Sequence, residues 1–391
     1  MRSKPPKIAI YSGAVPSTTF IERLIAGVAE SGYKVYLFGM LKKKTVYKQP
    51  NIHRVTYTDS YFQKAFHLLK YSLLLFVFKY KSKQKLDAFI KGRSKYVSLS
   101  KIKYYPVLWH QPDILHIQWA KSISDWMWVQ DFGMKIIVSL RGAHINISPI
   151  ADPQLAATYK EYFPKVDGFH AVSKAIAREA TTYGAKPERI QVVYSGFPSI
   201  KIPEPKTANR RFKIVAVGRK HWIKGYHYTL ESCRILKNEG VAFEYQIIGA
   251  ADSEELQYLQ TDLGLEQEVQ LTGKLPFEEV QGRIHQADLL LLSSMEEGIA
   301  NVVLEAMQLG TLVLSTNCGG MSEVIKDGVN GFLVPVRNPK AMATAIQKIQ
   351  GLKEDEKEHI LLEAKKTIDK QHSVSKMVGD MEELYNQVLN S

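Results

Sequence analysis

The regular alternation of short apolar runs with segments of helical length constrains this sequence more than any other feature. The runs are Lys7 to Tyr11, Lys34 to Phe38, Ile52 to Tyr57, Asp113 to Gln118, Ile136 to Leu140, Gly168 to Val172, Ile190 to Tyr194, Lys213 to Val217, Phe243 to Ile248, Asp288 to Leu292, Thr311 to Leu314 and Gly331 to Val334. Strands that alternate with helices form parallel sheets whose connections cross the sheet faces. The pattern therefore predicts an α/β fold with doubly wound sheets.

One interruption divides this series into two domains. The stretch from Pro198 to Arg211 is Pro-rich and charged, which is typical of a linker. A chain of 391 residues also suits two hydrophobic cores better than one. We predict an N-terminal domain at 1–200, a C-terminal domain at 201–372 and, at 373–391, an amphipathic helix that packs back on the N-terminal domain. Apolar residues at spacings of three and four indicate that helix: Val374, Met377, Met381, Leu384, Tyr385 and Val388.

Positive charge is concentrated in the first quarter of the sequence. Residues 1–105 hold 21 Lys and Arg against 4 acids, whereas the rest of the chain holds 31 against 35. A basic region of this kind suits nucleic acid, anionic lipid or a phosphorylated substrate, and charge alone does not choose among them. The region interleaves long aliphatic runs and contains no recognisable nucleic-acid module, so we expect no nucleic-acid partner.

The segment from Tyr61 to Tyr105 combines this charge with apolar residues. It holds eleven Lys or Arg against the single acid Asp87. This mixture predicts an interfacial surface that contacts an anionic membrane. The alternative is that Leu68 to Phe78 is a buried core helix with a solvated basic flank. That run is in either case shorter than the roughly 20 residues that span a bilayer.

Cysteine content and the start of the chain bear on the compartment. Cys233 and Cys318 are the two cysteines, which leaves no disulfide framework and fits a reducing cytoplasm. Each thiol is most simply a small buried residue. The start, Met1 to Lys7, lacks the apolar run of a signal peptide. We expect a cytoplasmic protein that is peripheral on the inner face of the membrane.

A basic loop follows the predicted strand from Lys213 to Val217. Gly218 and Gly225 bracket it, and it carries the cations Arg219, Lys220 and Lys224. Open α/β sheets bind ligands at the carboxyl ends of their strands, so a diphosphate is expected at this loop. A solvated basic loop without a ligand is the alternative interpretation.

A second loop of interest follows the apolar strand that ends at Leu292. It carries Glu297 and Gly298 and leads into a helix whose first residues are Ile299, Ala300, Asn301 and Val302. Free N–H groups at a helix start bind anions, and the helix dipole reinforces them. Glu305 lies about two turns into the predicted helix, roughly 10 Å from Glu297 along the axis. That separation suits the two ends of one nucleotide sugar. The alternative is that Glu305 is a charge on a partly exposed helix.

Four motifs in order resemble the donor domain of the retaining GT-B glycosyltransferases of family four. They are Gly218-Arg219 with Lys224-Gly225, Glu297 with seven residues to Glu305, Gly319 to Ile325, and Asn330 to Val334. The resemblance covers about Arg211 to Lys348. It implies the GT-B fold, in which two Rossmann-like, doubly wound domains face a central cleft, with the acceptor on the N-terminal side and the nucleotide sugar on the C-terminal side.

The resemblance also implies roles for the donor-side residues. Arg219 and Lys224 would neutralise the donor diphosphate, and Glu305 would accept hydrogen bonds from the ribose hydroxyls. Glu297 would face the transferred sugar as an orienting residue, while Gly218 and the backbone from Gly298 through Ile299, Ala300 and Asn301 to Val302 would hold phosphate and sugar. Retention is described in this family as front-face displacement, in which the leaving phosphate oxygen takes the acceptor's proton.

No Asp-x-Asp pair occurs in the sequence, so the carboxylate clamp of the other large glycosyltransferase fold is missing. We therefore expect no metal requirement and no cofactor beyond the nucleotide-sugar donor substrate. The expected acceptor, by resemblance to members that assemble polysaccharides, is a glycan or a lipid-linked sugar.

The N-terminal domain departs from the family pattern. Gly13 stands in a loop where a Gly-Gly pair is common, Arg141 replaces the usual donor-contacting His, and His144 stands where an acid is common. Ser173 is a further cleft candidate because it ends a strand and begins a helix. His116 and His170 also end strands, and for both we predict hydrogen-bonded core histidines rather than ligands.

Two hypotheses of function follow from these residues. The leading one is a retaining glycosyltransferase. The other is a catalytically silent GT-B homologue that binds a sugar nucleotide or acts as a scaffold subunit, as the departures at Arg141 and His144 suggest. A Rossmann oxidoreductase is excluded because no G-x-G-x-x-G follows a strand.

Overall fold

Two parallel sheets organise the protein in a computed structural model that describes residues 5–200 and 211–391. The chain divides into two compact units. The first unit comprises residues 5–172, 176–196 and 374–391, and the second unit comprises 173–175, 197–200 and 211–373. Most of the predicted linker, Pro198 to Arg211, lies outside the described residues, as does most of the stretch from Met1 to Lys7.

The sheet of the first unit has the order β3-β2-β1-β4-β5-β6-β7, and every neighbouring pair is parallel. Its strands are β1 (Lys7–Val15), β2 (Lys34–Leu41), β3 (Ile52–Tyr57), β4 (Ile114–Ile117), β5 (Lys135–Leu140), β6 (Gly168–Ala171) and β7 (Ile190–Val192). The central strands β4 and β6 are buried throughout, because helices cover both faces of the sheet.

Helices connect these strands, as crossover connections in a parallel sheet require. They are α1 (Thr19–Glu30), α2 (Tyr61–Phe78), α3 (Tyr80–Arg93), α4 (Val97–His110), α5 (Ile123–Trp126), α6 (Ala143–Asn146), α7 (Ser148–Ala151), α8 (Pro153–Tyr162) and α9 (Lys174–Thr182). Short 3-10 turns lie at Ala120–Ser122, Met127–Phe132, Phe163–Lys165 and Pro187–Arg189. Asp152 caps α8 by accepting hydrogen bonds from the N–H groups of Gln154 and Leu155.

The sheet of the second unit has the order β10-β9-β8-β11-β12-β13 and is also parallel. Its strands are β8 (Phe212–Val217), β9 (Phe243–Ile248), β10 (Val269–Thr272), β11 (Leu289–Leu292), β12 (Leu312–Thr316) and β13 (Phe332–Val334). Within this unit the strands run 3-2-1-4-5-6, the order of the doubly wound nucleotide-binding fold. The predicted α/β class is therefore confirmed.

The helices of the second unit are α10 (Tyr226–Asn238), α11 (Glu254–Asp262), α12 (Phe277–Gln286), α13 (Asn301–Gln308), α14 (Met321–Val324), α15 (Pro339–Gln350) and α16 (Glu354–Gln371), with a 3-10 turn at Trp222–Lys224. After α16 the chain returns to the first unit as α17 (Val374–Asn390). The apolar face of α17, including Met381 and Leu384, packs in one core cluster with α1 and with Ile8 and Ile10 of β1.

Some sequence expectations take a different form in the structure. The alternative that Leu68 to Phe78 is a buried core helix is wrong, because only Tyr71 and Leu75 of α2 are buried. Cys233 and Cys318 are free and buried, as predicted. Among the helices of the described residues, none combines the length and apolar character needed to cross a bilayer.

Candidate active site

The loops after β8 and β11 leave the second sheet where the strand order reverses. From β8 the chain proceeds outward to β9 and β10 on one side, and β11 then begins on the other side of β8. Neighbouring loops diverge at such a switch point and open a crevice at the carboxyl ends of the strands. The predicted basic loop, residues 218–225, and the predicted acidic loop, residues 293–300, flank this crevice.

Lys224 and Glu297 form an ion pair in this crevice. The Nζ of Lys224 lies 2.7 Å from Oε1 of Glu297, and the two side chains are 18% and 19% exposed. The hydroxyl of Ser294 donates a second hydrogen bond to the same Oε1 at 2.9 Å. The structure thus brings together two residues that were predicted to act on different parts of the nucleotide sugar. Two hydrogen-bond donors, Lys224 and Ser294, hold the carboxylate of Glu297.

Backbone contacts tie the two loops together beneath this pair. Ser293 Oγ donates to the carbonyl oxygen of Lys224 at 2.7 Å, and the N–H of Met295 donates to the carbonyl oxygen of Ile223 at 2.7 Å. Gly225 has φ +61°, and a Cβ there would lie 2.3 Å from the carbonyl oxygen of Ser293. Only glycine allows this approach, which explains the residue that ends the basic loop.

The other two cations of the basic loop differ in their surroundings. Lys220 pairs with Asp252 at 2.6 Å, and its Nζ also donates to the carbonyl oxygen of Asp252. Arg219 is exposed, and no hydrogen bond or ion pair of its side chain is found in the part of the chain that the structure describes. Arg219 therefore has a guanidinium available for a ligand, whereas Lys220 is directed to the neighbouring loop.

Tyr226 is a site residue that the sequence reasoning missed. Its hydroxyl is buried and lacks a hydrogen-bond partner among the described residues. A Cβ on Gly218 would lie 2.7 Å from that hydroxyl and 3.1 Å from Cε of Lys224, so the three residues meet at one point. Burial and the charge of Glu297 raise the pKa of Tyr226, which keeps it a hydrogen-bond donor. Its position directly after the motif Lys224-Gly225 was the available signal.

The helix that follows the acidic loop starts later than predicted. α13 begins at Asn301, with Ala300 as the N-cap residue and no side-chain cap. The N–H of Ala300 donates to Sδ of Met321 at 3.4 Å. Glu305, which is half-buried, therefore lies one turn into the helix, about 6 Å from its start, and not two turns. The prediction of two turns was wrong because the helix begins at Asn301, four residues before Glu305, so that Ile299 and Ala300 still belong to the loop.

The motif from Gly319 to Ile325 is hydrogen-bonded to the backbone of the acidic loop. The N–H of Gly320 donates to the carbonyl oxygen of Gly298 at 2.9 Å. The hydroxyl of Thr316, at the end of β12, donates to the carbonyl oxygen of Ser294 at 2.5 Å. Ile299 and Val302 pack at the edge of the adjoining core cluster. The motif from Gly319 to Ile325 thus positions the backbone of the loop that carries Glu297.

In the first unit, three of the predicted site residues lie toward the carboxyl ends of β1 and β5: Gly13 in β1, and Arg141 and His144 after β5. Trp119, which follows β4, contacts both places: its Nε1 donates to the carbonyl oxygen of Ser12, next to Gly13, at 3.2 Å, and its ring centroid lies 5.2 Å from that of His144. Gly13, with φ +86°, lies inside β1 and not in a loop after it, because β1 continues past an irregularity in register to Val15. Burial lowers the pKa of His144 to about 4.

Arg141 is a half-buried cation, and the described residues offer it no acidic partner. Its Nη2 donates to Oε1 of Gln118 at 2.9 Å, and its guanidinium lies 4.6 Å from the ring centroid of Phe20. No carboxylate pairs with it among the described residues, and burial lowers its pKa to about 9. The Nε of Arg141 and the Nε2 of the fully buried Gln118 lack partners in the described residues. The structure thus places donor groups at this position.

His116 and His170 belong to a buried chain of hydrogen bonds. His170 Nε2 donates to the carbonyl oxygen of Val193 at 3.1 Å, so its Nδ1 must accept, at 2.9 Å, from Ser139 Oγ. Ser139 in turn accepts from His116 Nε2 at 2.8 Å, and His116 Nδ1 accepts from the hydroxyl of Tyr385 at 2.9 Å. Burial lowers the pKa of both rings and keeps them neutral, and for neutral rings the carbonyl of Val193 sets both tautomers. The prediction of satisfied core histidines is confirmed.

Ser173, the remaining cleft candidate, is buried between the end of β6 at Ala171 and the start of α9 at Lys174. It is grouped with the second unit. A Cβ added to Gly320 would lie 2.8 Å from the Cβ of Ser173, so Ser173 contacts the backbone of the third motif.

Known proteins resemble both units of this chain. The family described as Glycosyltransferase Family 4 matches residues 17–199, and the family described as Glycosyl transferases group 1 matches residues 211–351. The amylovoran biosynthesis glycosyltransferase AmsK of Erwinia amylovora is 30% identical over 224 residues, which are 55% of each chain. WcaL of Salmonella typhimurium, named for colanic acid biosynthesis, is 30% identical over 219 residues, 54% of each chain. The chain thus spans about half the length of these relatives.

Solved structures resemble the whole chain in fold. HepE of Anabaena, solved in complex with UDP and glucose, has a TM-score of 0.73 at 17% identity and covers 97% of this chain and 99% of its own. Sucrose-phosphate synthase from Thermosynechococcus elongatus has a TM-score of 0.74 at 15% identity, with coverages of 98% and 99%.

Two doubly wound sheets with polar loops at their switch points, together with these structural likenesses, define the GT-B class. The chain belongs to the glycosyltransferases of the family 4, group 1 type. The resemblance read from its sequence motifs is thereby confirmed.

Proposed function

We propose that this protein transfers a sugar from a nucleoside diphosphate donor to a glycan or lipid-linked acceptor, with retention of anomeric configuration. The observation that carries the proposal is the crevice of the second unit, which holds the Lys224–Glu297 pair. Arg219, on the same loop as Lys224, is exposed and has no partner among the described residues. A diphosphate leaving group needs fixed cations at the place where its charge develops. Arg219 and Lys224 meet this need on one loop.

The donor is proposed to span the crevice from α13 to the basic loop. The uncapped N-terminus of α13 offers N–H groups to the diphosphate, and Glu305, one turn further, accepts from the ribose hydroxyls. Tyr226 supplies a buried hydroxyl beside Lys224 for a phosphate oxygen. An unpartnered buried hydroxyl is costly, so a ligand that satisfies it gains the affinity of that hydrogen bond.

The proposed chemistry is front-face displacement without a covalent enzyme intermediate. The glycosidic bond to the diphosphate breaks, the acceptor oxygen bonds to the same face of the anomeric carbon, and the leaving phosphate oxygen takes the acceptor's proton. Glu297 acts as an orienting residue, since Oε1 already accepts from Lys224 and Ser294. Charge neutralisation by Arg219 and Lys224 leads us to propose that no metal is required.

On the acceptor side, we propose that Arg141 and His144 line the acceptor region of the first unit. The donor atoms of Arg141 and Gln118 without partners in the described residues suit oxygen-rich ligands such as glycans. Relatives named for colanic acid and amylovoran biosynthesis support a growing polysaccharide as the acceptor class.

A donor screen tests the proposal against the silent alternative. Purified protein is titrated calorimetrically with a panel of nucleotide sugars in EDTA, and release of nucleoside diphosphate by slow transfer to water is followed for each donor that binds. We expect one donor to bind and to be consumed in EDTA. Binding without turnover of any donor, with acceptor-containing lipid extracts also present, would instead support the scaffold function. Turnover that requires an added divalent cation would contradict metal independence.

A further inference from the structure

Helix α2 carries a stripe of large apolar side chains on its outer face. Phe62, Phe66, Leu69, Leu73, Phe76 and Val77 are each 56% to 83% exposed. With about 100° between successive residues, they fall within an arc of about 100° and extend along about 22 Å of the helix. Tyr80, at the start of α3 and 48% exposed, continues the stripe through a ring contact with Phe76 at 5.4 Å.

The opposite face of α2 attaches the helix to the first unit. Tyr71 and Leu75 are buried in the core cluster, and Leu68 and Leu74 pack against it. The hydroxyl of Tyr71 is hydrogen-bonded to Nε2 of His110 at 3.2 Å. The helix is therefore apolar on two faces, one of which the fold buries and the other of which it leaves open. Contiguous exposed apolar surface of this size marks an interaction site.

Four lysines on α2, on α3 and just after α3 have no acidic partner among the described residues, although two of them lie over a neighbouring tyrosine ring. Lys70, which flanks the stripe on α2, and Lys81, Lys91 and Lys95 are exposed, and none of them forms an ion pair or hydrogen bond in residues 5–200 and 211–391. The single acid of the segment, Asp87, is already held by Lys83 at 2.8 Å and Lys101 at 3.0 Å. No acid among the described residues therefore neutralises the charge of these four lysines.

We propose that the outer face of α2 lies in the headgroup region of an anionic membrane, with its apolar stripe at the acyl boundary and its lysines on lipid phosphates. Amphipathic helices with an apolar stripe and flanking lysines bind lipid in this orientation. A second copy of this chain fits the surface less well, because it would bring the same lysines together. The surface lies in the first unit and needs no donor chemistry, so its failure would leave the proposed transfer reaction untouched.

Vesicle co-sedimentation tests the surface. Vesicles of equal parts phosphatidylglycerol and phosphatidylcholine are compared with vesicles of phosphatidylcholine alone across a salt series. Wild type should bind the anionic vesicles, and rising salt should weaken binding as the Debye length shrinks. Leu69→Glu with Leu73→Glu, and separately Lys70→Glu with Lys81→Glu, should each weaken binding by at least about tenfold.

Matched controls exclude loss of folding and of net charge as causes. Leu362→Glu with Tyr258→Glu changes apolar residues of similar exposure in the second unit, and Lys340→Glu with Lys348→Glu removes the same charge there. These variants should bind vesicles as wild type does, and all variants should keep the wild-type melting temperature. Lys79 and Lys83 are left unchanged, because Lys79 donates to Gln111 and to the carbonyl oxygens of Leu108 and Trp109, and Lys83 pairs with Asp87.

A labelled variant tests insertion rather than attraction alone. Because Cys233 and Cys318 are buried, Phe66→Cys introduces one accessible thiol for an environment-sensitive dye, with Leu362→Cys as the control. The dye at residue 66 should shift to shorter wavelength on anionic vesicles, and the control should not. The proposal would be overturned by vesicle binding that is the same for both lipid compositions, at every salt concentration and for both double variants. So would concentration-dependent dimerisation that Leu69→Glu with Leu73→Glu abolishes, since the stripe would then be a protein interface.

Discussion

Lys224 is held by Glu297 and is also the cation proposed to meet the donor diphosphate. The ion pair at 2.7 Å fixes the ammonium group of Lys224 at the mouth of the basic loop and neutralises a carboxylate that is mostly buried. Removing one partner of such a pair leaves the other charge uncompensated. A donor that approaches Lys224 therefore meets a preorganised site, and Glu297 is positioned through the same contact.

The first prediction concerns the cations of the basic loop. Lys224→Ala should weaken nucleoside diphosphate binding by about 2 to 3 kcal/mol, because the lost contact is charge-assisted and lies in a partly dry crevice. Arg219→Ala should cost less, about 1 kcal/mol, because its side chain is exposed. Calorimetric titration of the nucleoside diphosphate of the identified donor measures both.

Lys220→Ala is the matched control for this series, since Lys220 carries the same charge on the same loop but pairs with Asp252. It should bind the nucleotide nearly as wild type does. If Lys220→Ala matched Lys224→Ala in its loss, general attraction by a basic loop would explain the binding, and the assigned contacts would be wrong.

The second prediction separates the two glutamates. Glu305→Gln should weaken nucleoside diphosphate affinity, because the ribose loses its charged acceptor. Glu297→Gln should leave that affinity unchanged or slightly higher, because it frees Lys224 from a competing carboxylate, and it should lower turnover. Nucleotide titrations and single-turnover kinetics on both variants make the comparison. Equal losses of nucleotide affinity would contradict the assigned roles.

At the scale of the elements, a chain of hydrogen bonds through Ser139 joins β4, β5, β6 and α17. We predict that Ser139→Ala destabilises the first unit by about 2 to 4 kcal/mol, because it leaves one nitrogen each of His116 and His170 buried without a partner. Urea unfolding followed by tryptophan fluorescence measures the loss. Ser122→Ala, which removes a half-buried hydroxyl bonded only to the carbonyl oxygen of Trp119 in the described residues, serves as the control. If Ser139→Ala lowered the free energy of unfolding no more than the control does, the hydrogen bonds through Ser139 would contribute little to stability.

The elements that sequence patterns predict well are those that an apolar or β-branched run marks. The bounds of β3 and β9 agree with the predicted runs. β10 was missed because it has four residues and its exposed Gln270 separates Val269 from Leu271, so no apolar run marks it. The order of the strands is set by pairing between distant segments, and a local pattern carries no information on it.

The sequence was sufficient to predict which loops form the candidate site, but not the contacts between them. Residue spacing placed Arg219, Lys224 and Glu297 on two loops at strand ends, and the sheet order brings those loops together. The pairing of Lys224 with Glu297, the late start of α13 and the burial of the Tyr226 hydroxyl could not be predicted. Each depends on side-chain packing across the crevice rather than on the sequence of either loop.

At the scale of the whole molecule, histidines with a lowered pKa are concentrated in the first unit. Burial lowers the pKa of His116 to about 3 and that of His67 and His110 to about 4, and it lowers that of His170 well below its usual value. These rings stay neutral in the folded protein, while the same residues take up protons in the unfolded chain near pH 6.5. The unfolded state then binds more protons, so stability is complete above about pH 6.5 and falls as pH decreases toward these folded-state values.

We therefore predict that the first unit unfolds at a lower urea concentration at pH 5 than at pH 7.5. His116 alone should contribute about 2 kcal/mol to this difference. Four of the five tryptophans, Trp109, Trp119, Trp126 and Trp128, lie in the first unit, so tryptophan fluorescence reports mainly on it. If the urea midpoint were the same at pH 5 and pH 7.5, or higher at pH 5, these histidines would not be neutral in the folded protein.

The measurement that tests the central claim most directly is the anomeric configuration of the transferred sugar. The donor identified by the screen is incubated with the protein in EDTA, and proton NMR follows the first sugar released to water, before mutarotation. The account predicts that the sugar keeps the configuration it had in the donor, and that Lys224→Ala slows its release while Lys220→Ala does not. An inverted first product, or equal release by wild type and Lys224→Ala, would contradict retaining transfer at the crevice of the second unit.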